Sequence, residues 1–153
     1  MKRAYDVAMY LAERYMSLYG EQISEMKLHK LLYLAQRESI IKYDRLLFSD
    51  EFQGWRFGPV LPGIRHAYQE IINWRGPKKN LEEDEIETLE EVLRRYGHKD
   101  PWSLSRLTHG EYSWQQSRLG LKEYENGYNQ ILAQDIRIDA QRVKERRRMI
   151  GDL

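Results

Sequence analysis

By residue type, the groups in this chain that could do chemistry are four histidines, a run of carboxylates and one aromatic-cationic motif. A metal site needs ligands spaced so that two or more side chains share a face, such as histidines one helical turn apart. His29, His66, His98 and His109 have no such spacing, and there is no cysteine to add a thiolate. His109-Gly110-Glu111 matches the first half of the zinc-deaminase pattern H-x-E, but the Pro-Cys-x-x-Cys half is missing. Glu82-Glu83-Asp84-Glu85 reads as the solvated face of a helix rather than an acid/base pair. The segment Gly58 to Gly63 lacks the Lys-Ser/Thr of a phosphate loop, and no G-x-S-x-G elbow occurs. These observations lead us to expect no catalytic residues, no cofactor and no metal: a protein that is not an enzyme.

The aromatic-cationic motif is Trp55-Arg56-Phe57-Gly58-Pro59-Val60-Leu61-Pro62. Alternation in an extended segment predicts Trp55 and Phe57 on one inward face and Arg56 on the other. Gly58 admits a backbone angle closed to other residues. Pro59 restricts Gly58 and starts a turn. Two readings follow. The motif is a corner that seats the next helix, or Arg56 and the ridge Pro59-Val60-Leu61 project into a contact, since arginine and aromatic groups recur among interface hot spots. Lys27 and Lys30 share a helix face, and Tyr33 extends their row. Those three form either a contact surface beside the loop or a solvated flank.

The elements that must position these groups are mostly helical. Ala4, Val7, Ala8, Leu11, Ala12 and Tyr15 recur with helical spacing, and Gly20 follows as a C-terminal cap. Ser24 is placed to cap a second helix with a buried stripe of Leu28, Leu31, Leu32 and Ala35. Lys27, Lys30 and Arg37 lie beside that stripe. Helical periodicity is lost after Tyr43, and residues 46–58 predict a short β-hairpin or extended segment, with Gly54 marking a bulge or a close backbone approach. Pro62 opens a helix bearing Ile64, Ala67, Tyr68 and Ile71.

Further helices are expected from the Glu82–Glu85 segment to Gly97, from Asp100-Pro101 through Leu107, and briefly after Ser113 as its cap. The last is expected from about Asn129, with Ile131, Ile136 and Ile138 apolar, into a basic tail from about residue 140. His109 and Glu111 are expected to pair with backbone at the start of a short helix. The expectation is a mainly α fold, a single compact helical domain spanning residues 1–153 with a minor β element.

Composition narrows the partners. With 153 residues the chain can bury about two-thirds of the surface its unfolded form exposes. Twenty-five basic and 24 acidic side chains leave a net charge of +1, so no global field draws in nucleic acid. The segment around Lys27 and the tail Arg142–Arg148 are the places where DNA contacts would be sought. Ordinary amphipathic helices account for both. No segment reaches about 18 uncharged apolar residues and no signal peptide is evident, so membrane insertion is not expected and a cytoplasmic setting is. Eleven tyrosines leave homo-oligomerisation open.

Three stretches together carry a resemblance. Met26-Lys27-Leu28 and Lys30-Leu31-Leu32-Tyr33, then Trp55 to Val60 with Tyr68, then Leu107-Thr108-His109 with Glu111 and Trp114, occur in the order of the Panacea domain, the SocA-like, phage-associated antitoxin family. The similarity runs from about Ala4 to Ile138. His29 stands where glutamine is usual, Gly54 where alanine is common, and Ser113 where proline often precedes the tryptophan. The resemblance implies a bacterial or prophage-encoded antitoxin that neutralises a neighbouring gene's toxin by direct binding. Its alternatives are an adaptor delivering the toxin to a AAA+ protease and a nucleic-acid-binding regulator. On this basis Arg56, Phe57, Pro59, Val60, Leu61, Lys27, Lys30 and Tyr33 are the candidate toxin contacts. Trp55, Gly58, Pro62, Thr108, His109, Glu111 and Trp114 are expected to be mainly structural.

Overall fold

The computed structural model describes residues 3–78 and 80–152. In chain order these form α1 (Ala4–Tyr19), α2 (Glu25–Tyr43), β1 (Gln53–Trp55), β2 (Gly58–Val60), α3 (Pro62–Asn73), α4 (Glu83–Tyr96), α5 (Pro101–His109), α6 (Tyr112–Ser117) and α7 (Ala133–Met149). The fold is mainly α with a small antiparallel hairpin, as the periodicities predict.

Local signals set several boundaries. The Ser24 hydroxyl accepts a hydrogen bond from the Lys27 N–H at 3.2 Å, and Gly20 ends α1 at φ 71°. Asp100 accepts from Ser103 N at 2.9 Å, with Pro101 in the first helical position, where no N–H is needed. Acidic residues fill the first turn of α4 and Arg94 and Arg95 its last, matching the helix dipole at both ends.

The axis of the fold is α2. Helices α1, α3, α4, α5 and α7 and strand β2 all pack against it, and it is buried without a break from Lys27 to Ile41. Leu28, Leu31, Leu32 and Ala35 are therefore one side of a helix that has no solvent side. This corrects the expectation that Lys27, Lys30 and Tyr33 lie on a surface: they are 5%, 2% and 0% exposed. Polar groups survive there because most are paired, as buried polar groups must be. Lys27 Nζ donates to Tyr15 Oη at 3.0 Å and lies 4.8 Å from that ring's centroid. The Gln36 amide donates to Phe48 O at 2.8 Å and accepts from Leu47 N at 2.7 Å, tying the post-helix loop to the axis.

The hairpin pairs Gln53 with Val60, Gly54 with Pro59 and Trp55 with Gly58, leaving Arg56-Phe57 as a two-residue turn. Gly58 has φ 132°, a region that side chains strongly disfavour, and this angle takes up the turn's mismatch with the strands. At Gly54 an added Cβ would collide with the Ser117 side chain, so the close-approach reading of that glycine is the correct one.

Two expectations about the C-terminal third are corrected. The last helix begins at Ala133, because Asn129 to Ile131 is extended alongside β1. There Gly54 N donates to Asn129 O at 2.9 Å and Ile131 N to Phe52 O at 2.7 Å. Ile131 and Ile136 are buried, whereas Ile138 is 39% exposed. Ser113 does not cap α6, which starts at Tyr112 with Glu111 in the cap position, two residues earlier than expected. The buried apolar side chains form one continuous cluster running from α1 to α7.

Candidate partner-binding surface

The hairpin turn is held from beneath by side chains of the helices that follow it. Arg118 Nη1 donates to Gly54 O at 3.0 Å, Trp114 Nε1 to Trp55 O at 2.8 Å, and Ser105 Oγ to Phe57 O at 2.6 Å. On the outer side Arg56 N donates to Asn126 Oδ1 at 2.9 Å. Three carbonyls and two amides between Gly54 and Phe57 are thus satisfied from outside the hairpin, which fixes the turn before any partner arrives.

What the fixed turn presents is aromatic and cationic. Phe57 is 45% exposed, correcting the expectation that it faces inward with Trp55, because it sits in the turn rather than on a strand face. Its ring meets Trp102 of α5 edge to face, with centroids 5.6 Å apart. Trp102 is itself 56% exposed. The Arg56 guanidinium lies 4.8 Å from the Phe57 centroid. On the other side of the hairpin, Trp55 is half-buried between the Arg65 guanidinium, 5.2 Å from its centroid, and an edge contact with exposed Tyr128 at 5.5 Å.

The ridge expectation is corrected too. Pro59 and Leu61 are buried and Val60 is half-buried, because β2 packs on α2.

Most of the remaining motif residues join a buried polar lattice around α2. Arg37 Nη1 donates to Glu111 and Arg37 Nη2 to Tyr96 Oη, the latter at 2.9 Å. The Glu111 carboxyl is pushed up to about 7 by burial, an effect the Arg37 charge opposes. The expectation that Glu111 pairs with backbone therefore gives way to an ion pair with a helix 74 positions earlier.

Tyr33 shares a 2.7 Å hydrogen bond with Ser113 Oγ and donates to Asp139 Oδ2 at 3.2 Å, with burial raising its phenol well above the usual range. His109 stacks on Trp114 at 4.2 Å, nearly parallel, and burial together with the Lys30 charge lowers its pKa. His29 accepts from Leu61 N at Nδ1 (3.2 Å) while Nε2 lies 3.1 Å from Glu25 Oε2, and burial lowers it too.

The basic tail is divided by its environment. Arg147 is 6% exposed and donates both terminal nitrogens to Glu38, at 2.8 and 2.9 Å. Arg142, Arg146 and Arg148 stay exposed. Among the described residues no group of three or more histidine, cysteine, aspartate or glutamate side chains is placed to hold a metal ion, and no helix is long and apolar enough to cross a membrane.

Fold and surface together define a small helical protein organised on a buried polar-apolar axis, displaying a fixed aromatic-arginine turn. The chain belongs to the SocA-like antitoxin family: the model of the Panacea domain matches residues 28–115, more than half of its length. The match includes the turn, Thr108, His109, Glu111 and Trp114, but not α1 or the segment from residue 116 to Ile138. No curated protein and no solved structure matches the chain.

Trp102 on this surface, Asn126 beside it, and the buried Ser105 and Arg118 that hold it from beneath were not singled out by sequence. Trp102 was visible as an apolar residue next to a helix start, but nothing local tells that it meets Phe57, 45 positions away.

Proposed function

We propose that this chain is an antitoxin that neutralises a cognate protein toxin, encoded nearby in a bacterial or prophage genome, by direct contact through the face carrying Arg56, Phe57 and Trp102. The observation that carries this reading is the exposed Phe57–Trp102 pair on a turn whose backbone is already fixed. Arginine and large aromatic groups dominate interface hot spots, and a rigid presentation lowers the ordering cost of association. A stable complex needs about 1,600 Å² of buried surface in all, to which each partner contributes roughly half. Phe57, Trp102 and Tyr128 with Arg56 and Arg65 supply the centre of such a patch.

Tyr33 and Leu61, both buried, contribute as parts of the scaffold rather than as contacts. The protein acts by binding, without catalysis, in the cytoplasm.

Co-expression with the neighbouring open reading frame tests the reading. Growth should be restored, and the two proteins should co-purify. A folded Arg56→Glu variant should lose both effects. Restored growth with no complex and a shortened toxin half-life would instead assign the chain to the protease-adaptor mechanism. A harmless neighbour, or normal rescue by Arg56→Glu, contradicts the proposal.

A further inference from the structure

Beside the turn lies a cavity of about 340 Å³ between α2, the hairpin and α3. Its apolar lining comes from Met26, Trp55, Phe57 and Val60, and Lys30 also lines it. Lys30 is unlike the other buried cations. Lys27 has Tyr15, Arg37 has Glu111 and Tyr96, and Arg147 has Glu38. Lys30, 2% exposed as a residue, has no hydrogen bond or ion pair among the described residues, and its Nζ opens on the cavity rather than being sealed in; the fully enclosed side-chain nitrogen without a partner is Arg37 Nε. Its amine sits under the turn, and a Cβ on Gly58 would approach Nζ to 3.2 Å. Burial alone lowers its pKa to about 8. Glu25 is the one carboxylate lining the cavity, and its Oε2 is already shared by His29 Nε2 and Arg65 Nη1, each at 3.1 Å. An unpaired cation held in an apolar cavity is costly unless an anion completes it.

We propose that this cavity is a binding site for a carboxylate joined to a compact apolar body, the carboxylate meeting Lys30 Nζ and the body resting against Trp55, Phe57 and Val60. The lining chooses the class. Of the cationic side chains in the lining, Arg65 is already held by Glu25 and Lys30 is left to meet an anion, and with no glycine-rich nest of amides this suits a singly charged acid better than a phosphate. A divalent cation is repelled by Lys30 itself. The carboxylate has two sources, an acidic side chain or chain terminus of a protein partner and a free small organic acid.

The test uses the full chain and phenylacetate as probe. Lysine side-chain NMR should show saturable binding that moves the Lys30 resonances and raises the amine's pKa. Benzyl alcohol, the neutral analogue, should bind at least about tenfold more weakly, as should phenylacetate to Lys30→Met. A Lys30 signal unmoved by phenylacetate, or equal binding to wild type and Lys30→Met, overturns the site. The wild-type titration decides this independently of the variant. Addition of purified toxin then separates the sources. Displacement of phenylacetate assigns the carboxylate to the toxin, and unchanged binding assigns the site to a free acid. Because the titration involves the antitoxin alone, its failure is distinct from any failure of toxin neutralisation.

Discussion

The rings of Phe57 and Trp102 meet at 87° with centroids 5.6 Å apart, on residues that are each about half exposed. Edge-to-face contact is a favoured geometry for an aromatic pair and adds to what burial of the rings supplies. Here the pair stands at the surface, and the backbone beneath it is pinned by Ser105, Trp114 and Arg118. The geometry keeps two large apolar groups in place without covering them, which suits a surface that another protein completes.

Truncating the pair should therefore separate binding from folding. Trp102→Ala should weaken toxin binding by about 2 kcal/mol, roughly thirtyfold. Folding stability should change by no more than about 0.5 kcal/mol. Calorimetric titration and urea denaturation of the same preparation check both halves.

The Arg147–Glu38 pair should behave in the opposite way. Both side chains are almost wholly buried, so Arg147→Ala leaves an uncompensated carboxylate inside the fold and should cost about 3–5 kcal/mol. The double variant Arg147→Met/Glu38→Gln should recover much of that loss, because no lone charge remains. Denaturant midpoints of the two variants and wild type decide it.

Lys30 gives a pH-dependent stability with a definite sign. Its amine is lowered from 10.5 to about 8 by burial. Below pH 8 both folded and unfolded chains carry the proton, and the folded state bears the burial penalty. Between pH 8 and 10.5 the unfolded chain holds a proton that the folded chain has released, so this residue's contribution to stability rises with pH. Lys30→Met should thus stabilise the protein by up to about 3 kcal/mol near pH 7. That advantage should fade as the pH approaches 10.5, and paired denaturation curves from pH 7 to 10.5 measure the fading.

Gly58→Ala tests the turn. The φ of 132° is strained for any residue with a Cβ, and the new methyl would meet Thr108 Oγ1 at 3.0 Å. Destabilisation of about 2 kcal/mol is expected. The Phe57–Trp102 contact should loosen with it, seen as a change in tryptophan fluorescence before global unfolding.

What could be read in the sequence was what short-range chemistry determines. The Ser24 and Asp100-Pro101 caps, the Gly20 stop and the acidic start of α4 are written in adjacent residues, and the chain obeys them. The burial of α2 on all sides was not legible. Lys27, Lys30, Arg37 and Glu38 look like a surface helix's polar face, and the groups that bury them arrive from distant positions. Arg147 reaches Glu38 across 109 residues, and Ser113 reaches Tyr33 across 80.

Asn129–Ile131 fails as a helix start for the same reason: its backbone hydrogen bonds are taken by Phe52 and Gly54. At the candidate surface the sequence singled out Arg56 and Phe57 but misplaced their neighbours. Period-two alternation assumes a continuous strand, and the chain instead turns at those two residues.

Oxidative side-chain footprinting of the antitoxin, alone and with its toxin, tests the central claim most directly. Phe57 and Trp102 are open to labelling in the free chain, as is Met149 at 84% exposure on the far end of α7. If the turn is the docking surface, labelling of Phe57 and Trp102 should fall several-fold in the complex while Met149 is unchanged. A stable, neutralised complex in which Phe57 and Trp102 label as fast as in the free protein would contradict the account.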